Sequence, residues 1–251
     1  MIDTKMRNHY GYTVRYILFA ALFSALVFAT IFIAGSFRGD SSIGESANVQ
    51  SLSTSPTIVI DAGHGGEDGG AAGGNIIEKD LNLSIALDLA DMLRAAGFDV
   101  VLTREDDRLL YDPMSDYKGR KKQLDLAERL RIGESFEDAI FVSIHMNSFP
   151  DPQYRGLQVY FSPNDPTSQR LAQSIQSAVC ENLQKDNKRS VKQANSRIFI
   201  LHQIRKPAVL VECAFLSNPE ESQLVATEEY RKKLTFCIFF GICDFISQNS
   251  Y

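Results

Sequence analysis

Hydrophobic positions fall into three regimes along the chain. From Tyr16 to Phe37, 22 residues carry no charge, and only Ser24, Thr30, Gly35 and Ser36 interrupt the apolar run. At the rise of an α-helix this run is ~33 Å long, enough to cross a hydrocarbon layer of ~30 Å. From Asp40 to Pro56 the pattern disappears into six Ser, one Thr and no aromatic residue, the composition of a linker. Beyond Thr57, short β-branched runs alternate with amphipathic stretches.

That alternation predicts strands at 57–61, 98–103, 139–145, 156–161 and 207–213, and helices at 80–96, 118–132, 167–184 and 228–247. The first helix has Leu81, Ile85, Leu89 and Leu93 on one face and stops before Gly97, a residue suited to a helix C-terminus. Strands separated by helices need crossovers. The expected fold is therefore α/β, a mostly parallel sheet with helices on both faces, preceded by one transmembrane helix. The boundaries are a cytoplasmic N-terminus at 1–15, a transmembrane signal-anchor helix at 16–37, a flexible linker at 38–56 and one folded domain at 57–251.

Charge gives the arrangement a direction. Up to Arg38 there are four basic residues against one acidic, so the remainder holds 22 basic and 30 acidic residues, a charge of −8. Lys5, Arg7 and Arg15 before the apolar run place the N-terminus in the cytoplasm and the folded domain outside the membrane. Ala34-Gly35-Ser36 also resembles a signal-peptide cleavage site, in which case the domain is secreted. A domain this acidic would repel phosphate backbones, which argues against nucleic acid as a partner. Apolar residues at 44% exclude disorder, and four cysteines exclude a disulfide mini-protein. Buried free thiols are expected. The 19 linker residues from Arg38 to Pro56 have a typical reach of ~24 Å, keeping an anchored domain close to the membrane.

Four stretches carry candidate chemistry. Asp61-Ala-Gly-His-Gly-Gly66 follows the first strand, and His64 there is a ligand or a structural loop residue. The stretch lacks the Gly-Lys-Ser/Thr of a phosphate loop and the third glycine of a dinucleotide site. Glu78 stands at the start of the first helix, where it can complement the dipole or bind a cation, with Asp80 as the expected cap. His145 ends the strand of Ser143-Ile-His-Met-Asn147, either as a core histidine or at the sheet edge where α/β domains place ligands. Strand ends converge there, so His64 and His145 can meet although 81 positions separate them. With Glu78 they make the three-ligand set of a catalytic zinc site with an open position. Glu212 interrupts the apolar run Val209-Leu-Val-Glu212-Cys-Ala-Phe-Leu-Ser-Asn218; a buried carboxylate needs a partner, either a structural Arg or a metal site at which it serves as general base.

In this order the four stretches resemble the zinc-dependent N-acetylmuramoyl-L-alanine amidases, over about Thr57 to Ile246. The resemblance implies an amidase domain at 57–251 with one Zn²⁺ on His64, Glu78 and His145. It makes Glu212 the catalytic base and peptidoglycan the substrate, cut between N-acetylmuramic acid and L-alanine. Ala62, Met146 and Ala214 stand where the family usually has Pro, Ala and Gly. The segment 187–201 looks most like the membrane-anchored amidases that prepare spore cortex. Arg189 and Lys192 are candidate contacts for the acidic stem peptide, and a regulatory protein of unknown identity is a candidate partner. His202 reads as a strand-end or surface residue. Some family members carry a helix that plugs the site; only short connections follow His145 here, so no plug is expected. Two other readings are a non-catalytic wall-binding module on the same fold, which would lack a ligand, and a metal-independent glycosidase using Glu78 and Glu212.

Overall fold

The computed structural model describes residues 55–111, 114 and 118–249. The expected membrane segment at 16–37 and nearly all of the linker lie outside them. Among the described residues no helix is long and apolar enough to cross a membrane.

Among the described residues eight strands and six helices follow in chain order. They are β1 (Thr57–Ala62), the hairpin β2 (Ala72–Gly73) and β3 (Ile76–Ile77), α1 (Glu78–Ala95), β4 (Val100–Leu102), α2 (Lys121–Glu134) and β5 (Ala139–Asn147). Next come β6 (Gln158–Phe161), α3 (Ser168–Asn182), β7 (Lys192–Gln193), α4 (Phe199–Gln203), β8 (Ala208–Phe215), α5 (Pro219–Ala226) and α6 (Glu228–Gln248). The main sheet has the order β4-β1-β5-β8-β6-β7. Its pairs are parallel except β6 with β8. The expectation of a mostly parallel sheet holds, and the exception has a local cause. No helix lies between Asn147 and Gln158, so β6 has no crossover to bring it back parallel to β5.

Side chains alternate across the strands, and the two faces are covered unequally. Ile58 and Ile60 of β1, Ile140, Val142 and Ile144 of β5, and Val209 and Val211 of β8 are buried in one large core with residues of α1, α3 and α6. The other row, Val59, Phe141 and Leu210, is covered more thinly, by Leu126 and Leu130 of α2, Leu201 of the short α4, and Ile198 and Ile204 on either side of α4. Toward the C-terminal strand ends this second row turns polar: Asp61 after Val59, Ser143 and His145 after Phe141, Glu212 after Leu210. The thin cover leaves that end of the row as a pocket.

Several elements depart from expectation. Asp80 is not the helix cap: α1 starts at Glu78, with Ile77 before it and no side-chain cap. His202 is exposed on α4, which agrees with the surface alternative of its reading and not with the strand-end one. The hairpin, β7, α4 and α5 were not anticipated. For α5 the signal is in the sequence, since Asn218 accepts hydrogen bonds from the Glu220 and Glu221 amides and Pro219 opens the helix. All four cysteines are free, as expected.

Candidate metal centre

β1 delivers the chain to Gly63 and His64 at the sheet edge, and the turn there is demanding. His64 has φ +61°, a left-handed conformation uncommon for a residue with a side chain. A Cβ on Gly63 would lie 2.2 Å from His145 Nε2, so only glycine lets the imidazole lie against this backbone. Gly70 is equally constrained: its Cβ would lie 2.5 Å from Glu78 Oε2 and 2.8 Å from His64 Cδ2.

Two buried arginines hold the loop by its carbonyls. Arg104 donates to the oxygens of Ala62 (2.9 Å) and Gly63 (3.1 Å). Arg129 donates to Ala62 O and His64 O, each at 2.7 Å. The carboxylates of Asp61 (2.6 Å) and Asp125 (2.8 Å) compensate the Arg129 charge. Asp61 also accepts from Ser143 Oγ at 2.6 Å and Thr103 Oγ1 at 2.8 Å. Burial would raise the Asp61 carboxyl, but the guanidinium and the two hydroxyls outweigh it and hold its pKa below the ordinary carboxylate value.

Three donors converge above this loop. Glu78 Oε1 lies 2.9 Å from His145 Nδ1 and 3.2 Å from His64 Nε2, and one ligand atom from each residue lies within 4.8 Å of the others. The imidazoles meet edge to face, centroids 4.9 Å apart. Glu78 is nearly fully buried, yet the two imidazoles overcome the effect of burial and hold its carboxyl far below the usual range. Its oxygens also accept from the amides of Ala71 (2.7 Å) and Met146 (3.0 Å) and from Asn82 Nδ2 (3.3 Å). Asp68 Oδ2 lies 3.0 Å from His64 Nδ1, a close ionic contact too poorly aligned for a hydrogen bond. Outer partners of this kind orient the ligands of a metal site.

Glu212 completes the arrangement. It is paired in register with His145 across β5 and β8, and its Oε2 is buried with no hydrogen-bond partner. Burial pushes its pKa up to about 7, with the Glu78 carboxylate adding to the effect and the two imidazoles opposing it. An orphaned carboxylate oxygen beside an N,N,O donor set fits a divalent cation with an open position for water or a carbonyl. The glycosidase reading fits poorly, because Glu78 is taken up by both imidazoles.

The pocket over His64, His145 and Glu212 has a volume of 220 Å³, with Phe141 and Leu210 among its apolar walls and Lys122, Arg197 and Phe199 among its other lining residues. Neither Arg189 nor Lys192 lines it. Arg189 donates to Arg155 O (2.7 Å) and Gln158 Oε1 (3.0 Å), lies 4.5 Å from the Phe215 ring, and lines a separate hollow of 640 Å³ that holds none of the four site residues. Lys192 is exposed on β7. Sequence reasoning missed the roles of Asp68, Asn82, Arg104 and Arg129. Of these only Arg129, four residues after Asp125 on one helix, leaves a recognisable trace.

A family model described as N-acetylmuramoyl-L-alanine amidase matches residues 58–244. The chain belongs to that family. Among its amidase relatives is the germination-specific N-acetylmuramoyl-L-alanine amidase of Bacillus subtilis (strain 168), 33% identical over 191 residues, 76% of this chain and 80% of the relative. Among solved amidase structures, the CwlD amidase from Clostridioides difficile in complex with the GerS lipoprotein matches at TM-score 0.74 and 36% identity, covering 77% of this chain and all of that one. An N-acetylmuramoyl-L-alanine amidase from Clostridium difficile 630 matches at TM-score 0.68 and 29% identity, covering 78% of this chain and 99% of that one. Four polar residues at the ends of β1, β5 and β8 and the start of α1 thus form the candidate centre of an amidase-family domain.

Proposed function

We propose that the protein hydrolyses the amide bond between N-acetylmuramic acid and L-alanine in peptidoglycan, with one zinc ion held by His64, Glu78 and His145 and with Glu212 as general base. The observation that carries this reading is the convergence of two imidazole nitrogens and a carboxylate oxygen within 4.8 Å beside the orphaned Oε2 of Glu212. Bound zinc supplies polarisation of the scissile carbonyl and a lowered pKa for water, toward ~7. Glu212 Oε2 accepts a proton from the water that attacks the carbonyl carbon. As the C–N bond breaks, the same atom delivers that proton to the alanine nitrogen, leaving a carboxylic acid on the lactyl group and a free amine on the stem peptide. Burial raises the Glu212 carboxyl above the ordinary range, the direction that suits a group taking up and releasing a proton near neutral pH. Asp61, Arg104 and Arg129 act earlier, holding the backbone that presents His64.

We propose further that residues 16–37 anchor the chain and place the domain outside the cytoplasmic membrane. The germination-specific relative and the CwlD match support a role in spore cortex, and the lipoprotein bound to CwlD supports a partner protein for this chain. The test is mass spectrometry of peptidoglycan digested by the zinc-loaded protein. The expected products are free stem peptides and unbroken sugar chains carrying bare muramic acid, with all release stopped by a chelator. New reducing ends on peptide-bearing fragments would overturn the reading in favour of a glycosidase.

A further inference from the structure

We propose that Arg197 binds a carboxylate of the departing peptide, one residue beyond the L-alanine, and thereby makes the site selective for stem peptides whose second residue keeps a free acid. The inference rests on the amidase reading and concerns which peptides that site accepts. It starts from the charges around the pocket. Lys122 is paired with Asp68 at 3.4 Å, and Arg129 is buried between Asp61 and Asp125. Arg197 is exposed on the segment before α4 and lines the same pocket as His64, His145 and Glu212. Its backbone amide donates to Asn195 Oδ1, while its guanidinium has no carboxylate partner among the described residues. It is the cation of this lining left free to meet an anion from solution.

The shape of the pocket says which part of the substrate would bring that anion. At 220 Å³ it is below the ~300 Å³ at which pockets for whole small ligands begin, so it takes a fragment only. Phe141, Leu210 and Leu126 offer apolar walls, suited to a methyl side chain and ill suited to a sugar ring. Arg197, Ile198 and Phe199 belong to the same lining, so an alanine held in this space would bring the next residue of the peptide within reach of them. A planar guanidinium engages a carboxylate through two parallel hydrogen bonds and loses most of this when the acid becomes an amide. In an acidic domain an arginine left unpaired at the pocket gives local rather than general attraction for acidic peptides.

Two measurements on the full-length chain separate this inference from the amidase reading. The first is calorimetric binding of the dipeptide L-alanyl-D-isoglutamate and of its α-amide. The free acid should bind about 10-fold more tightly to the wild type. Arg197→Gln should abolish that preference and Arg197→Lys should keep part of it. Equal binding of acid and amide by the wild type, or a preference that survives in Arg197→Gln, would overturn the inference whatever bond the enzyme cuts. The second is cleavage of muramoyl peptides with either second residue by the zinc-loaded protein. Arg197→Gln should raise KM for the free acid about 10-fold with kcat within about twofold. Failure of the wild type to cut either substrate would sink the amidase reading, while the dipeptide comparison would still decide the role of Arg197.

Discussion

At Gly63 the absent side chain is itself part of the site. The His145 ring occupies the volume a Cβ would need, 2.2 Å from its Nε2, and the neighbouring backbone cannot retreat because Arg104 and Asn82 both hold the Gly63 carbonyl. Gly63→Ala should therefore displace His145 and sharply lower zinc content, while circular dichroism shows a folded protein; full zinc occupancy in the variant would contradict this. Glu212 makes the opposite case, a side chain whose chemistry matters more than its space. Glu212→Gln keeps the shape and removes the proton acceptor, so zinc content should stay near one per chain while turnover falls by roughly 10²–10⁴. Loss of zinc in that variant would make Glu212 a ligand instead. Of these residues, His64, Glu78, His145 and Glu212 were legible in the sequence because each is a polar residue at the edge of an apolar element. Asp68 and Asn82 were not, since an Asp in a glycine loop and an Asn in a helix have nothing distinctive until the fold sets them beside a ligand.

Between elements, Asp61 is the junction. From the end of β1 it binds Arg129 of α2, Ser143 of β5 and Thr103 just beyond β4. Asp61→Asn leaves the buried guanidinium undercompensated and should cost about 3 kcal/mol at pH 7, read by urea denaturation of the zinc-free protein. The folded-state pKa of Asp61 lies below its ordinary 3.8. Its contribution is therefore complete above that value and is lost as pH falls through 3.8 toward the folded pKa. The stability gap between wild type and variant should hold down to about pH 4 and narrow as pH falls below 3.8; a gap that stays constant below 3.8 would show that the charge of Asp61 is not what stabilises the junction. The principal strands and long helices of this assembly were readable from periodicity. β7 and α4 were not, because elements of two and five residues carry too little of a repeat to be told from a loop.

Across the whole molecule, access decides what the site can do. No helix intervenes between β5 and β6, and the pocket over His64, His145 and Glu212 opens at the sheet edge. The zinc-loaded domain beginning near Thr57 should therefore cut accessible peptidoglycan without an added protein. An absolute requirement for a second protein would show that the open site is incomplete. On the proposal that residues 16–37 anchor the chain, a linker reach of ~24 Å would confine cleavage to the innermost wall, so lengthening the linker several-fold should spread cleavage outward. An unchanged cleavage pattern would refute the tether.

The sequence by itself indicated the alternating α/β domain, the candidate metal ligands and the family the chain resembles. The fold follows from apolar periodicity and the candidate ligands from polar residues at element edges, while the family follows from the resemblance of the four stretches to known amidases. Which residues meet was decided only by the tertiary structure. The sheet order sets β5 between β1 and β8, bringing His64, His145 and Glu212 to one edge, and the thin layer of α2 and α4 leaves that edge open. The same packing turned Arg189 toward Arg155 and Gln158 and left Arg197 at the pocket, a distinction between two surface arginines that no spacing along the chain could express.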